Sequence, residues 1–112
     1  MEDNSLRIAD ESIELELNLA KLYTNFSHIF QKDSNFWWNL SLEEKNHAAM
    51  LKSVREYFMP ADVYPPEILS SKLQPLVETN QMLEKLLKDH KDAPPSRESA
   101  FNLYLCMNCD GR

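Results

Sequence analysis

Three side chains concentrate the chemistry this sequence can offer: Glu16, Glu44 and His47. Each interrupts a run of residues at helical spacing that is otherwise apolar. A carboxylate placed in such a seam neutralises or finds a cation, and two carboxylates side by side push one another's proton affinity upward. Residues i and i+3 share one face of a helix, so Glu44 and His47 can ligate one ion or two adjacent ions. Two carboxylates and a neutral imidazole suit iron, manganese or zinc better than soft metals, and oxygen-rich ligation leans toward iron or manganese.

The elements that must position these groups are helices. Glycine occurs once, the six prolines all fall between residues 60 and 95, and Leu, Glu, Lys and Asn dominate over β-branched residues. From Leu6 to Gln31 two stripes run side by side in steps of three and four: Ile8, Leu15, Leu19, Leu22, Phe26, Ile29, and beside them Ala9, Ile13, Glu16, Ala20, Tyr23, Ser27, Phe30. A face this wide can meet two neighbours. Lys32-Asp33-Ser34 reads as a turn, with Ser34 as N-cap of a second helix from Asn35 to Phe58. Its seam is Trp37, Leu40, Glu44, His47, Leu51, Val54 and Phe58, and Pro60 stops it.

With the turn near residue 33, Glu16 falls about three residues, or roughly 4 to 5 Å, from the level of His47 at a helical rise of 1.5 Å. Glu14 and Glu43 flank the seams but point outward, and His28 and His90 fall on polar faces as surface residues.

Residues 59–75 and 91–95 read as linkers, with a short helical piece at Glu67 to Lys72. Pro75 suits the first turn of a third helix, carried by Leu76, Leu83, Leu86 and Leu87 to about His90. Ser96 caps a last helix from Arg97 to about Asn108 that turns Ala100, Leu103, Tyr104 and Met107 inward. The 112 residues make one domain without internal repeats.

A formal charge of −6 without a Lys/Arg cluster argues against a nucleic-acid partner. No apolar run approaches the roughly 20 residues that span a bilayer, and the acidic start Met1-Glu2-Asp3-Asn4 is unlike a secretory signal, so a cytoplasmic protein with no membrane partner is expected. Cys106 and Cys109 form one Cys-x-x-Cys, which reads as an incidental tail, a redox dithiol or part of a metal site shared between chains.

Two segments resemble the rubrerythrin and ferritin-like di-iron carboxylate family. Glu16-Leu-Asn-Leu-Ala-Lys-Leu-Tyr23 looks like that family's first-helix Glu followed seven residues later by Tyr, and Leu40-Ser-Leu-Glu-Glu-Lys-Asn-His47 looks like its second-helix Glu-Glu-x-x-His. The resemblance covers about residues 6 to 58 and implies an all-α, ferritin-like helical bundle. By resemblance, Glu16 and His47 are terminal ligands and Glu44 a bridge. Ser96 to Met107 looks like the start of the family's third bundle helix, whose Glu aligns with Asn108, and the chain ends at Arg112 before a fourth helix. The expected bundle is therefore incomplete: two long antiparallel helices, then shorter ones.

A second copy related by a twofold axis would supply a second Glu16, Glu44 and His47, and four carboxylates offset two divalent ions. The expected function is a di-iron oxidoreductase completed as a homodimer or higher homo-oligomer, oxidising iron or reducing peroxide with an electron donor. Tyr23 could hydrogen-bond a ligand or relay an electron there, or simply pack. The alternatives are a non-catalytic bundle with a vestigial or single weak metal site, and a thiol protein acting through Cys106 and Cys109.

Overall fold

A computed structural model describes residues 5–57 and 73–108 of the chain. Among them every element is helical, as the composition requires: α1 (Ser5–Ile29), a 3₁₀ turn (Gln31–Asp33), α2 (Ser34–Tyr57), α3 (Leu73–Asp92) and α4 (Arg97–Asn108). The architecture is an all-α helical bundle. The piece expected at Glu67 to Lys72, and Phe58 at the end of the second seam, lie outside the described residues.

α1 is the spine. Its wide apolar face packs against both α2 and α3, and residues of both stripes, Phe26 and Tyr23, meet Trp37 of α2. Leu15, Leu19, Leu22, Tyr23 and Phe26 of α1 join Trp37, Leu76, Leu83 and Ala100 in the main core, while Ile13, Ala48 and Leu51 form a smaller cluster between α1 and α2. Ala20 and Ala48 are buried and small, which lets those two helices approach closely.

The hairpin turns where Phe30 leaves helical geometry, at φ −108° and ψ 88°. Ser34 is not the N-cap that its residue type suggests. It already has right-handed helical angles, and its N–H bonds to the Gln31 carbonyl, so the 3₁₀ turn feeds α2 without a capping residue.

Polar groups lock the register of α1 on each neighbour. The Ser41 hydroxyl, buried in α2, donates to the Ala20 carbonyl at 3.1 Å and lies 2.6 Å from Thr24 Oγ1, which must then be the donor to it. On the other side, Asn18 Nδ2 donates to Asn80 Oδ1 at 3.2 Å, and Asn80 Nδ2 donates to the Glu11 carbonyl and carboxylate at 2.9 and 2.8 Å. Arg55 of α2 also pairs with Asp10 of α1.

α3 begins at Leu73, inside the stretch read as a linker, with Pro75 in its first turn, and it runs two residues past His90 before Pro94 and Pro95. Ser96 caps α4 as expected: its Oγ accepts the Ser99 N–H at 3.1 Å. The start of α4 is clamped to the hairpin turn by Arg97, whose Nε and Nη2 donate to the two oxygens of Asp33 at 2.6 and 3.0 Å. That interaction holds the Asp33 carboxyl below its ordinary range. Beyond the clamp, Phe101 and Tyr104 interleave with Phe36 and Trp37 at ring separations of 4.9 to 6.0 Å.

Candidate metal centre

Glu16, Glu44 and His47 meet. One ligand atom from each lies within 4.8 Å of the other two, the one such group of three among the described residues. α1 and α2 are antiparallel, and the Ser41 bond to Ala20 fixes their register, so Glu16 and the Glu44-x-x-His47 turn arrive at one level. His47 Nδ1 lies 3.0 Å from Glu44 Oε1 and 3.7 Å from Glu16 Oε2. An ionised carboxylate only accepts, so the ring nitrogen is the donor in the shorter contact.

Burial is graded across the trio. The Glu44 side chain is 8% exposed and that of Glu16 14%, whereas His47 is 52% exposed. The single second-helix seam expected from the sequence is therefore two adjacent strips. Trp37, Ser41, Glu44, Ala48 and Leu51 are buried, while His47 stands on the flank and opens to solvent. Ser41 and Ala48 belong to the buried strip, and their spacing of four from Trp37 and Glu44 was the signal for it.

The donor set fits a divalent first-row metal. Such an ion holds oxygen and nitrogen ligands at about 2.1 Å, which places neighbouring ligand atoms about 3 Å apart. The contact between His47 and Glu44 already has that separation, Glu16 Oε2 lies 3.7 Å from the same ring nitrogen, and an ion there would displace the Nδ1 proton. Two carboxylates cancel the charge of one divalent ion, the imidazole adds a borderline ligand, and the open side at His47 leaves room for further ligands.

Other residues singled out from the sequence fall elsewhere. Tyr23 is fully buried, stacked on Trp37 at 5.7 Å and edge-on to Tyr104 at 6.2 Å. Seven residues from Glu16, it stands about 10 Å further along the helix axis, inside the aromatic core. Glu43 is exposed and Glu14 half-buried. His28 is exposed at a shallow cleft lined by Ser27, Gln31, Ser34, Asn35 and Trp38. His90 is not a simple surface residue: it is half-buried with its ring 6.0 Å from Phe26, and burial lowers its pKa. Cys106 is exposed with a free thiol, and Cys109 lies outside the described residues.

No described helix is long and apolar enough to cross a membrane. The chain matches no protein-family model, no curated protein and no solved structure.

Proposed function

We propose that this chain is a metal-binding helical-bundle protein of the ferritin-like, rubrerythrin type, with iron as the metal and oxidation of iron or reduction of peroxide as its activity. The observation that carries this reading is the convergence of Glu16, Glu44 and His47 from two helices onto one point. Two largely buried carboxylates there meet a half-exposed imidazole, a donor set suited to a divalent cation.

In this reading Glu44 is the inner ligand, held by its burial between α1 and α2. Glu16 supplies the second carboxylate from α1, and His47 supplies the imidazole on the open side, where a small oxidant has access. Bound iron would supply the redox chemistry, passing electrons to O₂ or peroxide. The chain's own contribution is to fix three ligands on rigid helices and to keep the Glu44 side of the site dry.

The second reading is a non-catalytic bundle holding one ion weakly. It is favoured by the exposure of His47, which leaves one of three ligands free to move. The two readings separate in an anaerobic Fe(II) titration followed by O₂, on the parent protein and on Glu44→Ala and His47→Ala. The redox reading expects one iron per chain bound at micromolar concentration, oxidation to Fe(III) on adding O₂, and loss of both in the two variants. Weaker binding without oxidation selects the second reading. No iron bound by the folded parent removes both.

A further inference from the structure

Ser12, Ser27 and Ser41 are buried in the described helices, and the last two have their hydroxyls engaged. Ser27 Oγ donates to the Thr24 carbonyl at 2.6 Å and Ser41 Oγ to the Ala20 carbonyl at 3.1 Å. Ser12 of α1 is 6% exposed, and its hydroxyl has no hydrogen-bond partner. It does not turn back to the Ile8 carbonyl, the usual recourse of a serine inside a helix. Trp37 Nε1 and His90 Nδ1 share this condition, but they belong to rings that contacts with Phe26 hold in place. A serine contributes little besides its hydroxyl, and leaving that group buried and unpaired is unfavourable where alanine would fit.

The place of Ser12 on α1 shows which side chain it can serve. Residues three and four positions away along a helix are neighbours, here Ile8, Ala9, Leu15 and Glu16. Of these side chains only Glu16 can accept a hydrogen bond. The two residues are about 40° apart around the helix axis and about 6 Å apart along it. Helical side chains tilt toward the N-terminus of their helix, so Glu16 leans over the turn that carries Ser12. Its Oε2 faces His47, 3.7 Å from Nδ1.

We infer that Ser12 is a positioning residue of the metal centre, whose hydroxyl donates to the Glu16 carboxylate when that carboxylate ligates a divalent ion. The inference rests on the metal-site reading above. A carboxylate that gives one oxygen to an ion keeps the other for a hydrogen bond, and a donor there fixes the plane in which the first oxygen points. The hydroxyl suits this task because it adds no charge beside the ion and can rotate to meet the oxygen. An interaction made in the loaded state and not in the other adds in full to affinity, since only a difference between two states can shift their balance.

The test measures two quantities on the full chain: the urea midpoint without metal, by circular dichroism, and Mn(II) affinity, from the electron paramagnetic resonance signal of the free ion. The variants are Ser12→Ala, Ser12→Thr and Ser12→Val. Thr and Val match in shape and differ in the hydroxyl, so their ratio isolates it even where the added methyl disturbs packing. For Ser12→Ala the expected result is a metal-free midpoint equal to or above that of the parent and an Mn(II) Kd raised about 10-fold or more. Ser12→Thr should bind Mn(II) more tightly than Ser12→Val. A Ser12→Ala variant with the parent's affinity overturns this inference, as does one with a lower metal-free midpoint, because the hydroxyl would then already be engaged without metal. Equal affinity of the Thr and Val variants overturns it too. Each of these results leaves the metal site standing as long as the parent binds Mn(II). A parent that binds neither Mn(II) nor Fe(II) removes the metal site and this inference together.

Discussion

The two ends of the α1–α2 hairpin are built from the same pair of helices and spend their seam positions differently. Near the turn, Tyr23, Phe26 and Trp37 are sealed under Phe101 and Tyr104 of α4. Two turns further from the loop, the corresponding positions hold Glu16, Glu44 and His47, and the His47 side chain is half exposed. One end supplies the stability that lets the other keep ionisable groups in a seam. Helix α4 enforces the division, since the Arg97 clamp on Asp33 and the Ser96 cap set it over the turn.

The largest effect expected from breaking this division is at the aromatic end. Trp37→Ala empties the most crowded point of the core and should lower stability by about 3 to 5 kcal/mol, read as the urea midpoint by circular dichroism. If it changes the midpoint little, the aromatic end is not what anchors the hairpin. The polar lock between α1 and α3 comes next. Asn80→Ala strands Asn18 and the Glu11 carbonyl and should cost about 1 to 3 kcal/mol without changing metal affinity.

At the ligand end the expected sign reverses. Glu44→Leu replaces a buried carboxylate with an apolar side chain of similar reach. It should leave the metal-free protein as stable or raise its stability by about 1 kcal/mol, while removing metal binding. A clear loss of stability would mean that the contact with His47 outweighs the burial of charge.

The smallest effects are in the pH dependence, and they sit in different windows. Burial lowers the pKa of His90, so between the unfolded value of 6.5 and the folded value the unfolded chain binds a proton that the folded chain does not. Stability should therefore fall as pH drops below 6.5 and level off beneath the folded value, and His90→Gln should flatten that slope. Asp33 is lowered from 3.8, chiefly by its hydrogen bond with Arg97. Its contribution is present above that value and disappears as pH falls through the folded one, so Asp33→Asn should alter only the acid limb. Because this pair is exposed, the difference should shrink at high salt.

Much of this was legible in the residues. The boundaries of α1 and α2, the wide face of α1 and the Ser96 cap follow from spacing and side-chain type, and the ligand trio stands out because charge in an apolar seam is visible without coordinates. Ser34 does not cap because the 3₁₀ turn ahead of it already holds it at helical angles, where an N-cap residue must be non-helical. Asn18 and Asn80 were invisible because each is an ordinary polar residue until the other lies opposite. His90 was read as exposed because nothing local announces that Phe26 covers it.

The sequence by itself determined that the chain is helical, where its long helices run, and that Glu16, Glu44 and His47 interrupt apolar seams. These follow from periodicity, which is a property of one helix at a time. Only the tertiary structure decided that His47 faces outward while Glu44 faces in, that Glu16 comes level with them, and that α4 packs over the turn end. Periodicity places a residue around its own axis, but which side of that axis is dry depends on where the neighbouring helices lie.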